Sequence, residues 1–279
     1  MLMGRVFVSV DMEGLTGAVS PSQVLPGRVD YERFRDVMIR ETNAVIRGAF
    51  EGGADGVLVN DSHDGMLNLK IEELDERVEL ISGYHKPLSM MQGVDRGFIC
   101  AFFVGYHSMA SGEGVLSHTM TGIVSKAYLN GVPASEGVIN AMVGGHFGVP
   151  VGLVAGDQYA VSEVHTVCPD ANGVVVKRAI DRYSALSQSL SRVEEELRGA
   201  AEAAVKSSAS LKVYTPPKPI TLTVEFTQSS LAARALYAPI ARRVDGRTIE
   251  IVGDDALDVY MRFRAALGLA STARDPDYG

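Results

Sequence analysis

Five short runs in the first part of the chain are apolar or small at almost every position, not at alternate ones: RVFVSVD (5–11), GVLVND (56–61), VELISG (78–83), FICAFFVGYH (98–107) and PVGLVAGD (150–157). A strand that is apolar on both faces has to be covered on both, which is the condition of a parallel sheet flanked by helices. Residues 31–51, YERFRDVMIRETNAVIRGAFE, place Phe34, Met38, Ile39, Ala44, Val45 and Ala49 at helical spacing, and Gly52-Gly53 stops the helix. Strand, helix and parallel strand make one βαβ unit. A second helix is predicted over 136–146, EGVINAMVGGH, with Ser135 as its N-cap, ahead of the strand at 150.

Beyond residue 170 or so the character changes. A long amphipathic run at 178–206, rich in Ala, Glu, Arg and Ser, leads to TPPKP (215–219), whose prolines have no place in a central strand. Then follow ITLTVEF (220–226), a short helix near 229–238, TIEIVGD (248–254) and a helix over 255–268, a smaller unit with alternating strands. These features predict an α/β fold: a mostly parallel sheet flanked by helices in an α/β domain over 1–172, and a smaller C-terminal α/β or α+β domain over 173–279.

Composition narrows the partners. With 46% hydrophobic and 22% charged residues the chain has the profile of a soluble globular protein. Its net charge is −8 and no Lys/Arg run exceeds two residues, so nucleic acid and anionic membranes are poor partners. No uninterrupted apolar stretch reaches the about 18 residues of a membrane span, and the N-terminal run is too short for a signal-peptide core. A soluble, cytoplasmic protein is expected. Cys100 and Cys168 lack motif spacing and make no disulfide framework; Cys100 reads as core.

In open parallel sheets, ligands bind outside the carboxyl ends of the strands. Here the first run ends in Asp11 and Glu13, the second in Asp61 and His63, and the fourth in His107. Carboxylate oxygen with imidazole nitrogen suits zinc, and also manganese or cobalt. Taken singly each residue has an ordinary use: an Asp after a strand commonly caps a turn, and a lone His is commonly a hydrogen-bonded core residue. Convergence of two carboxylates and two imidazoles on one sheet edge is what points to a metal. For Glu136, at the start of a helix, two uses stay open: a further ligand, or a carboxylate that complements the helix dipole. Asp61 is expected to hold the second N–H of a ligating imidazole. His85, His146 and His165 lie away from strand ends and read as surface or structural histidines.

At SVDMEGLTG (9–17), VLVNDSHDGMLNL (57–69), ELISGYHKPLSMMQGVD (79–95), FFVGYHSMA (102–110), GVLSHTM (114–120) and VPVGLVAGDQ (149–158) the sequence resembles the D-aminopeptidase family of metallopeptidases. The resemblance implies two zinc ions held by Asp11, Glu13, His63, His107 and Glu136, with an active-site role for His118. It also implies a homodecameric ring and short peptide substrates with D-residues at the amino end. The family description makes the counterpart of His118 a nucleophile. Metal-activated water needs no covalent intermediate, so proton transfer or oxyanion stabilisation by His118 is the better expectation.

Other functions on such a site are a two-metal amidase or phosphoesterase. Against phosphate stands the scarcity of Arg and Lys near the motifs, Arg5 and Lys126 included. A non-catalytic assembly protein on the same scaffold is a third possibility, and the six competent side chains at the ligand positions and at His118 argue against it. No GxSxG elbow or GxxxxGK[ST] loop offers a rival chemistry.

Overall fold

The computed structural model describes residues 4–273. The chain opens with β1 (Arg5–Val10), α1 (Pro21–Val24), α2 (Tyr31–Glu51), β2 (Gly56–Asp61), β3 (Val78–Ile81) and β4 (Cys100–Tyr106). It continues through β5 (Val124–Leu129), β6 (Val132–Pro133), α3 (Glu136–His146), β7 (Val151–Asp157), α4 (Gln158–His165), β8 (Asn172–Asp181) and β9 (Ser184–Ser187). The last third holds α5 (Leu190–Lys206), β10 (Ile220–Phe226), α6 (Ser229–Ala235), β11 (Arg242–Arg243), β12 (Thr248–Gly253) and α7 (Ala256–Ala270).

Seven strands form one sheet in the order β3-β2-β1-β4-β7-β8-β9, parallel throughout except for the β8–β9 hairpin. All five continuously apolar runs are strands of this sheet, and their side chains divide between two cores. Val6, Val8 and Val10 of β1 with Cys100, Phe102 and Val104 of β4 share a core with α2 and α5. Phe7, Ala101 and Phe103 point the other way and share a core with α3, α7 and the second sheet. Because burial is needed on both faces, polar alternation is absent. From β1 the chain steps outward through β2 and β3, then returns to place β4 on the other side of β1. That reversal makes a crevice between the carboxyl ends of β1 and β4, the place where such sheets bind ligands.

The second sheet, β11-β12-β10-β5-β6, is antiparallel. Along β10, Ile220, Leu222, Val224 and Phe226 are buried in strict alternation, as the sequence pattern predicts. Two expectations need correcting. The amphipathic run at 178–206 is not one element: β8 continues to Asp181, a turn held by the Tyr183 N–H donating to Asp181 Oδ1 (2.7 Å) leads into β9, and only residues from Leu190 are helical. Nor do the sheets divide at residue 172, since β5 and β6 join the second sheet while β8, β9 and α5 belong with the first. Half-covered strands carry a mixed pattern, and in β8 that pattern passes for an amphipathic helix face. Among the described residues no helix is long and apolar enough to cross a membrane.

Candidate metal centre

The loops leaving β1 and β4 touch through their backbones. The Asp11 N–H donates to the Val104 carbonyl (2.8 Å) and the Gly14 N–H to the Gly105 carbonyl (2.7 Å). A Cβ at Gly14 would lie 2.0 Å from the Tyr106 oxygen, and one at Gly105, whose φ is +70°, would lie 2.1 Å from the Asp11 oxygen. Both glycines are demanded by this approach. It sets Asp11 and Glu13 beside His107.

Two groups of potential ligands result. Asp11, Glu13 and His63 form the first, and His107, His118 and Glu136 the second, with the ligand atoms of each group within 4.8 Å of one another. In the first, His63 Nδ1 is 3.1 Å from Asp11 Oδ1 and 2.9 Å from Glu13 Oε2. In the second, His107 Nε2 is 3.4 Å from Glu136 Oε1, and His118 Nε2 is 3.8 Å from the same oxygen. Asp11 stands between them, its other oxygen, Oδ2, 3.5 Å from His107 Nε2. All but His118, which is half-buried, are buried. The six residues expected from the sequence therefore meet.

Each imidazole is oriented by a backbone carbonyl. His63 Nε2 donates to the Val24 oxygen (2.6 Å), His107 Nδ1 to the Ser108 oxygen (3.0 Å) and His118 Nδ1 to the Leu116 oxygen (3.0 Å). The second nitrogen of each ring is thereby left facing the shared space. Asp61 does not take the role expected of it. Its carboxylate accepts from the Asn68 and Leu69 N–H groups (2.6 and 2.8 Å) and from Asn68 Nδ2 (2.8 Å), and Asn68 in turn donates to the His63 carbonyl (2.7 Å). Asp61 shapes the loop that carries His63, and holds no imidazole. His146 faces Asp255 and His165 bonds to the Ala171 carbonyl, away from the centre.

The side chains fit a metal. Buried polar atoms are ordinarily paired, yet Glu13 Oε2 and His107 Nε2 are buried without a hydrogen bond. Both belong to the two groups, and the mixed oxygen and nitrogen donor set is that of zinc. Electrostatics agree. Burial, then the neighbouring Glu13 carboxylate, pushes Asp11 up to about 8. Burial also opposes ionisation of Glu13 and Glu136, but the adjacent histidines hold both below the usual range. Against its own burial His63 is driven well above its ordinary value by Glu13 and Asp11, and His107 to about 10 by Glu136 and Asp11. His118 is lowered, by burial and by His107. Three buried carboxylates thus demand positive charge, and protons on His63 and His107 occupy positions that a divalent cation would take over.

Supporting residues escaped sequence reasoning. Fully buried Lys177 donates its ammonium protons to the carbonyls of Glu13 (2.5 Å), Leu15 (2.9 Å) and Ala18 (2.6 Å), and Glu41 accepts from the Thr16 N–H (2.8 Å). Together they clamp the loop that presents Asp11 and Glu13. A lysine inside the apolar run of β8 was the one available signal. The loop carrying His118 is held by Glu163, which accepts from Ser108 Oγ and the Met109 N–H, and by Asp157, which accepts from the Val115 N–H. Above the centre opens a cavity of about 580 Å³, lined by Asp11, Glu13, His63, His118 and Glu136 and, from α7, by Arg264.

A parallel sheet with two carboxylate–imidazole groups at its reversal point defines a metal-binding α/β protein with an open, substrate-sized cavity. The D-aminopeptidase family matches residues 4–265, and the chain belongs to that family. It is 37% identical over 267 residues to a D-aminopeptidase of Bacillus subtilis (strain 168), covering 95% of this chain and 97% of that protein. A solved structure of the zinc-dependent D-aminopeptidase DppA from Bacillus subtilis, a self-compartmentalizing protease, superposes with a TM-score of 0.92 at 36% identity, covering 96% of this chain and 98% of that one.

Proposed function

We propose that this chain is a binuclear zinc aminopeptidase that cleaves short peptides, with D-residues at the amino end as its preferred substrates. The observation that carries the proposal is the position of Asp11, whose two oxygens face His63 and His107 in separate groups, as a carboxylate shared by two cations would. Asp11, Glu13 and His63 would hold one ion, and Asp11, His107 and Glu136 the other. Zinc bound there would supply Lewis acidity to the scissile carbonyl and lower the pKa of a water to about 7.

The protein's own groups do the rest. His118 presents Nε2 to the cavity because its Nδ1 proton is committed to the Leu116 carbonyl. With its affinity for protons lowered by burial and by His107, the ring is neutral at pH 7, able to accept a proton from the attacking water and pass it to the leaving amine. The acidic lining, Asp64 included, favours the cationic α-amine of a peptide. The self-compartmentalizing relative supports a homo-oligomer, for which the decameric ring is the proposed form. A cytoplasmic location suits the two buried free cysteines, Cys100 and Cys168.

The test is a panel of D-Ala and L-Ala p-nitroanilides beside a phosphodiester, assayed with and without added zinc. Zinc-dependent release from the D-Ala anilide above the L-Ala anilide is expected. Phosphodiester cleavage without peptidase activity would overturn the proposal.

A further inference from the structure

Helix α7 and its C-cap turn one stripe toward the cavity: Arg264, Leu267 and Gly268 of the helix and the capping Ser271 follow one another at helical spacing and all line it. Arg264 is the sole Lys or Arg among the lining residues. No hydrogen bond or ion pair ties it to any described residue. Its neighbour Arg262 is different, bonded to the Asp258 carboxylate and to the Val252 carbonyl. Beside Arg264 the cavity is open, for a Cβ at Gly268 would meet nothing within 4 Å.

A guanidinium that faces a cavity without a partner is a ready anion site, and its planar fork matches a carboxylate with two parallel hydrogen bonds. The carboxylates of the lining, Asp11, Glu13, Asp64 and Glu136, with its two imidazoles, are suited to cations and to an amine. Charge is thus laid out as a dipole, acidic on the sheet side and basic on the α7 side. An unblocked short peptide is a dipole of the same kind, and its one obligatory anion is the α-carboxylate.

We propose that Arg264 binds the free α-carboxylate of the peptide substrate and so selects short peptides with an unblocked C-terminus. This rests on the aminopeptidase reading above. With the amine and scissile carbonyl at the metal-ligand wall, the carboxylate lies toward α7 in a short peptide, while in a long or amidated one the guanidinium has no anion to receive. Arg264 is a specificity-determining residue and takes no part in bond cleavage.

The experiment compares zinc-loaded wild type, R264Q and R264K on D-alanyl-D-alanine and on its C-terminal amide, by kcat/KM for each and by calorimetric titration with the same two compounds. In wild type the free acid is preferred. In R264Q the acid-to-amide ratio falls by about tenfold or more, the loss expected of a charge-assisted pair, and R264K retains part of the preference. An acid-to-amide ratio within twofold of wild type in R264Q overturns the proposal, whatever the absolute rates, because a merely structural role lowers both together. Should wild type cleave neither compound, the aminopeptidase reading fails by itself, and the calorimetric ratio still decides whether Arg264 holds a carboxylate.

Discussion

His118 lies face to face with His107, ring centroids 4.1 Å apart and planes within 12° of parallel. The stack places a half-buried imidazole over a buried one, with both within reach of Glu136. His107 has no hydrogen bond at Nε2, which leaves that atom free for a cation, whereas His118 faces the open cavity. His118→Ala should therefore keep the zinc content of wild type while kcat falls by about a hundredfold or more, the usual scale for loss of a proton-transfer group. Metal analysis beside steady-state kinetics checks this. Loss of a zinc ion in this variant would make His118 a ligand instead.

His63 is the converse case. Its Nε2 is held by the Val24 carbonyl, so Nδ1 is fixed toward Asp11 and Glu13. His63→Ala should lose bound zinc together with activity, and added zinc should restore little. Retention of the full metal complement in this variant would remove His63 from the ligand set.

Lys177 is the keystone of the loop below Glu13. Lys177→Met strands the Glu13 and Ala18 carbonyls, each costing about 1–3 kcal/mol, while the Leu15 carbonyl keeps the Ala18 N–H (3.2 Å); relief from burying an ammonium group offsets part of the cost. A net destabilisation of roughly 2–4 kcal/mol is expected, with weaker zinc retention during dialysis. Urea midpoints and metal content measure the two effects. A variant as stable as wild type, with unchanged zinc, would show that the clamp is dispensable.

Glu41 gives the pH dependence its sign. Burial pushes its carboxyl from 4.5 up to about 7. Between those values the folded chain keeps a proton that the unfolded chain has released, so stability from this group is fully present below 4.5 and is lost as pH rises through 7. Glu41→Gln mimics the protonated form and escapes the loss. Relative to wild type it should gain up to about 3 kcal/mol between pH 4.5 and pH 7. Denaturant midpoints of both proteins across that range read the difference. A gap that is constant or shrinks with rising pH would contradict it.

The five apolar runs and the charged residues that close them were legible because parallel strands covered on both faces leave continuous hydrophobic sequence, and because such sheets deliver their ligands at one edge. Read from its position alone, Glu136 stood open between helix capping and metal binding; the family resemblance favoured a ligand, and its oxygen lies 3.4 Å from His107 and 3.8 Å from His118. The hairpin of β8 and β9 was not legible. Its strands are half-covered, so residues 178–187 carry a mixed pattern in place of a continuous apolar run. Asn68, Lys177 and Arg264 were hidden for a related reason. What makes each of them matter is the carbonyl, carboxylate or cavity opposite, which long-range packing creates and local pattern does not record.

The pair of cations is tested most directly by elemental analysis of the purified protein after reconstitution, with activity followed as zinc is withdrawn by a chelator and returned. A centre built on Asp11 as the shared ligand predicts about two zinc ions per chain, activity lost on withdrawal and regained on return. Fewer than one zinc per chain, with peptidase activity indifferent to the chelator, would contradict it.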